Sequence, residues 1–157
     1  SSQRGACEID PPFLLELAHY EWVELALDVA NEDLPPEETL PADLLAAYLG
    51  ISPLAWSLAY RFPVHLISRD NRPLEPGDMP TYIVVYRNRH DSVQFLEINA
   101  VTARLLDLIG GDTPQSGETV LQRIADELGL SPDSILDFGQ KILAQLFNLD
   151  ILIIARP

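Results

Sequence analysis

The stretch FLEINAVTARLLDLI, residues 95–109, predicts a strand that runs directly into a helix. Asn99 stands at the junction, where its side-chain oxygen can accept a backbone N–H that the first helical turn leaves unpaired. After it, apolar residues recur at helical spacing: Val101, Leu105, Leu108 and Ile109. We therefore expect a strand over Val93–Ile98 and a helix over Ala100–Ile109, which Gly110 and Gly111 end.

The residues before this stretch predict a hairpin. Thr81–Tyr86 (TYIVVY) and Val93–Ile98 (VQFLEI) are rich in β-branched and aromatic residues and flank a polar connection. Both faces of Val93–Ile98 carry apolar side chains, so we expect this strand to have more than one neighbour. Further upstream, Val64–Ile67 predicts a short strand, Phe13–Asn31 a helix with an apolar stripe, and Pro41–Leu49 a short helix.

Two more helices and a strand follow. The first helix spans about Glu118–Leu128; the second begins at Ser131-Pro132-Asp133, an N-cap followed by a proline and an acid, and runs to Asn148. Ile151–Ala155 (ILIIA) predicts the closing strand. Helix, short turn, helix and strand are typical of a winged helix-turn-helix. The predicted fold is α+β: an N-terminal helix, a small antiparallel sheet of about three strands, then a three-helix winged helix-turn-helix.

The composition indicates one globular domain. The chain has 157 residues, of which 47% are hydrophobic, and no apolar run approaches the roughly 20 residues that span a bilayer. Cys7 is the single cysteine, which excludes an internal disulfide and a multi-thiolate metal site. This usage favours a cytoplasmic protein.

The net charge of −14 is concentrated in the first third of the chain. Residues 1–50 hold eleven acidic residues and one arginine, and Lys141 is the single lysine of the chain. Nucleic-acid binding depends on Lys and Arg that neutralise phosphates, so this composition disfavours it. A basic or neutral partner is the expected one, and the alternative is that the acidity only keeps the domain soluble.

Three helical and strand blocks resemble a known family of peptide-recognition domains. The segments FLEINAVTARLLDLI (95–109), ETVLQRIADELG (118–129) and SPDSILDFGQKILAQLFNLDIL (131–152) are similar to the PqqD-like domains of ribosomal peptide maturation systems. Those domains are winged-helix modules that bind the leader of a precursor peptide. The resemblance implies the same fold and role for Thr81–Ala155.

A second resemblance extends further upstream. The blocks LLELAHYEWVELALD (14–28), SPLAWSLAYRFPVHLIS (52–68) and 95–109 look like the C-terminal domain of the HvfC/BufC family. Its members are partner proteins of multinuclear non-haem iron oxidative enzymes that modify precursor peptides. The family's N-terminal helical domain, which carries a DNA-binding label, has no counterpart here, so we expect a domain fragment. The expected organisation is a flexible lead-in (1–12), a helical segment packed on the core (13–50) and a PqqD-like domain (51–157).

The PqqD-like resemblance implies a peptide site. There the leader adds as an antiparallel strand beside the last sheet strand, in a groove lined by the third helix, so that backbone hydrogen bonds give affinity. The corresponding strand residues are Val93, Phe95, Leu96, Glu97 and Ile98. On Asp133–Asn148, the expected groove residues form a second apolar face: Leu136, Gln140, Leu143 and Phe147. The alternative is that the N-terminal helix or residues 51–68 already cover that face.

Metal binding and catalysis find no support in the residue pattern. His19 and Glu21 lie two positions apart, so their side chains diverge on a helix, and no histidine pair has the i, i+4 spacing of a helix-borne site. We instead expect Tyr20 or Trp22 to pack against residues 63–65, with His19 or His65 hydrogen-bonded. No Gly-x-Ser-x-Gly elbow is present.

The leading hypothesis is therefore a non-enzymatic adaptor without a cofactor or metal. It would bind a precursor peptide and present it to an iron-dependent modifying enzyme, with no membrane partner. The alternative is a DNA-binding transcriptional regulator whose missing N-terminal half supplies the basic surface. Against it, the N-terminal part of the predicted recognition helix carries Asp133 and Asp137, whose carboxylates repel phosphates.

Overall fold

The structure, a computed structural model, describes residues 12–36, 39–66 and 80–155. In these ranges four α-helices and two three-stranded antiparallel sheets are present. The helices are α1 (Leu14–Asp28), α2 (Ala100–Ile109), α3 (Gly117–Leu128) and α4 (Pro132–Asn148). The strands are β1 (Tyr48–Ile51), β2 (Ala55–Tyr60), β3 (Thr81–Arg87), β4 (Val93–Ile98), β5 (Gln115–Ser116) and β6 (Leu152–Ile154). The predicted α+β class is confirmed, although one sheet was expected and two are present.

The first sheet has the strand order β2-β3-β4 and contains the predicted hairpin. The β3–β4 register runs from Tyr82 opposite Ile98 to Arg87 opposite Val93. Strand β3 is the centre of the sheet and is buried on both faces. Ile83 and Val85 point to one hydrophobic core, whereas Val84 and Tyr86 point to the other.

Each face of this sheet is covered by helices. Helix α1 packs on the first face through a buried stripe with helical spacing: Phe13, Tyr20, Val23 and Leu27. Helices α2, α3 and α4 and the second sheet enclose the other core. Strand β4 takes part in both cores, because Leu96 and Ile98 pack against the α2–α4 side and Val93 packs against the α1 side. The expectation of more than one neighbour for this strand is confirmed.

The helix boundaries follow the capping signals of the sequence. The Asn99 side chain accepts a hydrogen bond from Thr102 N, 2.8 Å away, and α2 has the predicted bounds. Ser131 caps α4, whose first helical residue is Pro132. Helix α3 ends at Gly129, which adopts a left-handed conformation with φ of 68° that favours glycine.

The short helix predicted for Pro41–Leu49 is wrong. This segment contains turns and then enters β1, which is the central strand of the second sheet, β5-β1-β6. The carbonyls of Leu45 and Ala47 accept hydrogen bonds from Glu118 N and Gly117 N at the start of α3, so they are not available for a local helix. Tertiary pairing thus overrides the helical propensity of the alanine-rich run.

In residues 51–68 one prediction is wrong and one strand was not predicted. The strand predicted for Val64–Ile67 is a 3₁₀ turn over Val64–Leu66, in which Leu66 N donates to Pro63 O, and Ile67 lies outside the described residues. Pro63 fixes φ in the helical range, which favours a turn at this point. Strand β2, an apolar run with aromatics that was not predicted as a strand, pairs along its whole length with β3. The predicted lead-in, 1–12, also lies outside the described residues except for Pro12.

Candidate peptide-docking edge and apolar groove

Strand β4 lies at the edge of the first sheet. It pairs with β3 on one side, and no described strand pairs with its other side. Asn88 N donates to Ser92 O at 3.0 Å where the hairpin closes. Because hydrogen-bonded and non-hydrogen-bonded pairs alternate in an antiparallel ladder, Gln94, Leu96 and Ile98 bond to β3. The backbone N–H and C=O groups of Val93, Phe95 and Glu97 therefore point to the outer edge, where an added strand would bind.

The side chains of β4 are held on both faces of the sheet, but two of the predicted site residues remain accessible. Phe95 is 49% exposed and Glu97 is exposed as well. Both lie on the α1 side of the sheet, whereas Leu96 and Ile98 are partly buried on the other side. The predicted strand residues thus share one docking edge, with Phe95 and Glu97 its accessible side chains.

His65 anchors this edge strand from the 3₁₀ turn. Its Nε2 lies 2.7 Å from a carboxylate oxygen of Glu97, and its ring packs edge-to-face on Phe95 with ring centroids 5.7 Å apart. The His65 side chain is almost fully buried, and its Nδ1 has no hydrogen-bond partner among the described residues. A hydrogen bond to His65 was predicted, and it is confirmed. Its role in fixing the two accessible residues of β4 was not foreseen.

The four residues of α4 that were predicted to line the groove lie at different depths in the structure. It packs chiefly on α3 and β6. Leu143 is fully buried, Leu136 and Phe147 are partly buried against the same core, and Gln140 is exposed. These four residues therefore do not form one accessible surface, and Leu143 lies out of reach of a docked peptide.

An apolar groove instead opens between α2, α3 and α4. Its lining includes Val101, Leu105, Ile124, Ile135, Phe138 and Ile142. Phe138 is 49% exposed at its rim. Only Asn99 and Ala100 separate Ile98, the last residue of β4, from Val101 of the groove lining in the chain. The spacing i, i+3, i+7 of Ile135, Phe138 and Ile142 is the sequence signal that identifies this face of α4.

His19 and His65 each form a hydrogen bond with a different side chain and do not share a site. His19 Nδ1 lies 2.8 Å from the Tyr60 hydroxyl, and His65 bonds to Glu97. Within the part of the chain that the structure describes, no group of three His, Cys, Asp or Glu side chains is placed to hold a metal ion. The expected packing is also present in part: Tyr20 shares a core with Val64, while Trp22 packs on Trp56 instead.

The helical surface around the groove carries little unpaired positive charge. Arg104 of α2 donates two hydrogen bonds of 2.9 and 2.8 Å to Glu127 of α3, and Arg123 lies 3.6 Å from the same carboxylate. The hydrogen bonds from Arg104 hold the pKa of Glu127 below its usual value. At the start of α4, Asp133 and Asp137 are exposed. The N-terminal turn of α4 is therefore acidic.

The fold and this edge define a small α+β domain with an open strand and a neighbouring apolar groove. A family model described as the HvfC C-terminal domain matches residues 52–147, which is more than half of the chain. The chain therefore belongs to the HvfC family, and this membership indicates a partner protein in a maturation system. A search of curated proteins finds no match.

No helix among the described residues is long and apolar enough to cross a bilayer. The longest, α4, has 17 residues and carries Asp133, Asp137 and Lys141. Membership of the HvfC family indicates a protein partner.

Proposed function

We propose that this domain is a non-catalytic adaptor that binds a ribosomally made precursor peptide and presents it to a multinuclear non-haem iron oxidative enzyme. The iron belongs to that enzyme, and the adaptor itself uses no cofactor. The observation that carries the proposal is the outer edge of β4, whose backbone groups at Val93, Phe95 and Glu97 have no strand partner among the described residues. Such an edge is a template for strand addition.

The arrangement of the neighbouring elements supports a PqqD-like winged-helix mode of binding. Strand β4 leads into three helices, and β6 follows the last of them. A peptide that pairs with β4 would place alternate side chains toward the apolar groove and toward Phe95. Val101, Phe138 and Ile142 would supply the pocket on the groove side, in place of the α4 face that the sequence favoured.

DNA binding is the alternative function, and no observation favours it. The helix that would enter a DNA groove begins with acidic side chains, and Arg104 and Arg123 share Glu127. Phosphate binding needs several free cations, and on the described part of α4 Lys141 is the single basic residue.

Amide hydrogen exchange with and without a leader peptide of the cognate precursor tests the proposal. In the free domain, the amides of Gln94, Leu96 and Ile98 should exchange slowly because they bond to β3, whereas those of Val93, Phe95 and Glu97 should exchange fast. Peptide binding should slow the second set. Fast exchange of that set in saturated complex would refute strand addition at β4.

A matched pair of variants isolates the backbone contribution at this edge. Phe95→Pro removes the side chain and an outward N–H, while Phe95→Ala removes only the side chain. Proline is tolerated at this position because the N–H that it lacks faces outward from an edge strand and does not bond within the sheet. One lost hydrogen bond costs about 1 kcal/mol, so the proline variant should bind roughly fivefold more weakly than the alanine variant. Equal affinities of the two folded variants would contradict the proposal.

A further inference from the structure

Helix α1 carries a second apolar stripe on the side opposite its buried face. The buried stripe is formed by Phe13, Tyr20, Val23 and Leu27. A second set of residues recurs at alternating spacings of three and four: Leu15, Ala18, Trp22, Leu25 and Val29. At 100° per residue these positions lie on the far side of the helix from the core. Alternation of three and four is the pattern by which one helix packs along another.

This outer stripe is exposed to an unusual degree for large apolar side chains. The exposed fractions are 83% for Leu15, 55% for Trp22, 61% for Leu25 and 64% for Val29. No described residue of the chain covers them. Contiguous exposed apolar surface of this kind marks interaction sites.

The outer stripe continues onto the sheet through an aromatic pair. The ring centroids of Trp22 and Trp56 lie 5.7 Å apart, and the ring of His19 lies 6.0 Å from that of Trp22. Trp56 belongs to β2, at the edge of the first sheet opposite β4. Tryptophan is enriched among residues that dominate binding energy, so the pair forms a natural centre for the patch.

The charged side chains that α1 itself places beside the outer stripe are acidic. Residues 12–36 contain no lysine or arginine. The carboxylates of Glu21 and Asp28 flank the stripe on one side, and neither has an ion-pair partner among the described residues. Partial burial, and then the charge of Glu21, raise the pKa of the neighbouring Glu24 carboxyl. A partner with lysine or arginine beside its own apolar stripe would relieve this unpaired charge.

A second copy of the chain would not neutralise the carboxylates of Glu21 and Asp28. In an antiparallel pair of α1 helices, Glu21 of one copy would face Asp28 of the other, which is a like-charge contact. In a parallel pair, the flanking carboxylates would face Ala26 and gain no ion pair. Charge complementarity therefore selects a different, basic partner.

We propose that the outer stripe of α1, with Trp56, is a docking surface for a basic amphipathic helix of a partner protein. It lies on the α1 face of the molecule, away from the groove between α2 and α4, and stands independently of the peptide edge. An adaptor with both surfaces would hold a partner helix and a peptide at the same time.

A pair of designed, tryptophan-free peptides of three heptads tests this surface. Both carry leucine at the two core positions of each heptad, and they differ only in having lysine or glutamate at the flanking positions. Trp22 and Trp56 are the two tryptophans of the chain, so its tryptophan emission reports on the patch alone. The lysine peptide should shift that emission to shorter wavelengths saturably and bind at least about tenfold more tightly than the glutamate peptide.

Matched variants locate the contact. Leu25→Asp should weaken the lysine peptide by at least about tenfold, while Leu128→Asp, at a similarly exposed leucine of α3, should leave its affinity within about twofold. Glu21→Lys with Asp28→Lys should reverse the preference between the two peptides. Far-ultraviolet circular dichroism checks that each variant is folded.

Three results would overturn the proposal. Equal affinity for the two peptides would show that the surface does not prefer a basic partner. A concentration-dependent dimer that Leu25→Asp abolishes would make a second copy the occupant. No emission change with either peptide would show that the stripe does not bind an amphipathic helix. None of these results depends on the exchange of the β4 amides, so failure here leaves the peptide-binding test unaffected.

Discussion

Replacing Arg87 should detach the C-terminal end of α1 from the sheet. The Arg87 side chain is buried at the end of β3, and its guanidinium donates to four backbone carbonyls in and after the last turn of α1. The acceptors are the carbonyl oxygens of Leu27 at 2.8 Å, Asp28 at 3.2 Å, Ala30 at 2.9 Å and Glu32 at 2.9 Å. A cation at a helix C-terminus also complements the helix dipole. Arg87 thus joins the central strand to the N-terminal helix.

The size of the stability loss depends on which of the four carbonyl oxygens can be hydrated once the guanidinium is removed. A hydrogen bond to a charged group contributes roughly 1.5–3 kcal/mol, and a buried acceptor left unpaired carries its full desolvation cost. The bond to Leu27 O is buried, while the other three acceptors are partly buried and regain some hydration. Removal of the buried Nε, which has no partner among the described residues, offsets part of the loss. We expect Arg87→Met to lower the free energy of unfolding by about 2–4 kcal/mol.

Urea denaturation followed by circular dichroism measures this change. Arg61→Met is the matched control, because the Arg61 side chain is 71% exposed and its carboxylate contact with Glu16 is 4.0 Å long, so its loss should cost under about 0.5 kcal/mol. Arg87→Lys should give an intermediate loss, since one ammonium group cannot span four carbonyls. An Arg87→Met domain as stable as Arg61→Met would refute the reasoning.

Two further predictions concern packing and pH. Gly139→Ala should destabilise the domain by about 1–2 kcal/mol, because the new methyl would overlap Leu121 Cδ2 and overpacking outweighs the gain in helix propensity; Gln140→Ala, on the exposed side, is the control in urea denaturation. Burial raises the pKa of Tyr20 and Tyr60 to about 12, so the folded state holds both phenols neutral where unfolded chains ionise. The contribution of these two phenols to the free energy of unfolding should therefore be complete below pH 10 and be lost from pH 10 to 12. Tyr20→Phe should reduce this loss, and an unchanged urea midpoint of the parent domain over that range would contradict the prediction.

The elements that local chemistry dictates could be predicted from the sequence. The Asn99 cap fixed the start of α2, and Ser131 with Pro132 fixed the start of α4. The hairpin was recognisable because two β-rich runs flank a polar turn. In each case the residues that specify the element lie within it or beside it.

The second sheet could not be predicted in this way, because its strands are distant in sequence. Strand β1 pairs with Gln115–Ser116 and with Leu152–Ile154, and neither pairing leaves a mark in residues 48–51. Leu49 is fully buried in β1, yet the sequence pattern predicted it as the last residue of a short helix. Long-range pairing of such short strands overrides local propensity.

The burial of the predicted α4 residues could not be read from spacing, because spacing does not show which apolar stripe of a helix meets a neighbour. Two apolar stripes were visible, and the one judged free contains the buried Leu143. The deciding residue is Gly139, which lets α3 approach closely enough that a Cβ would overlap Leu121. A glycine within a helix marks close packing, so the contact is centred there and Phe138 and Ile142 line the groove beside it.

The position of β4 between the two cores explains why its edge suits strand addition. Leu96 and Ile98 are held by the α2–α4 side, Val93 is held by the α1 side, and His65 fixes Glu97 and Phe95. These contacts hold the strand in place, and no described strand pairs with its outer backbone groups. If a peptide adds there as proposed, binding would cost mainly the ordering of the peptide, which is how a preorganised surface gains affinity.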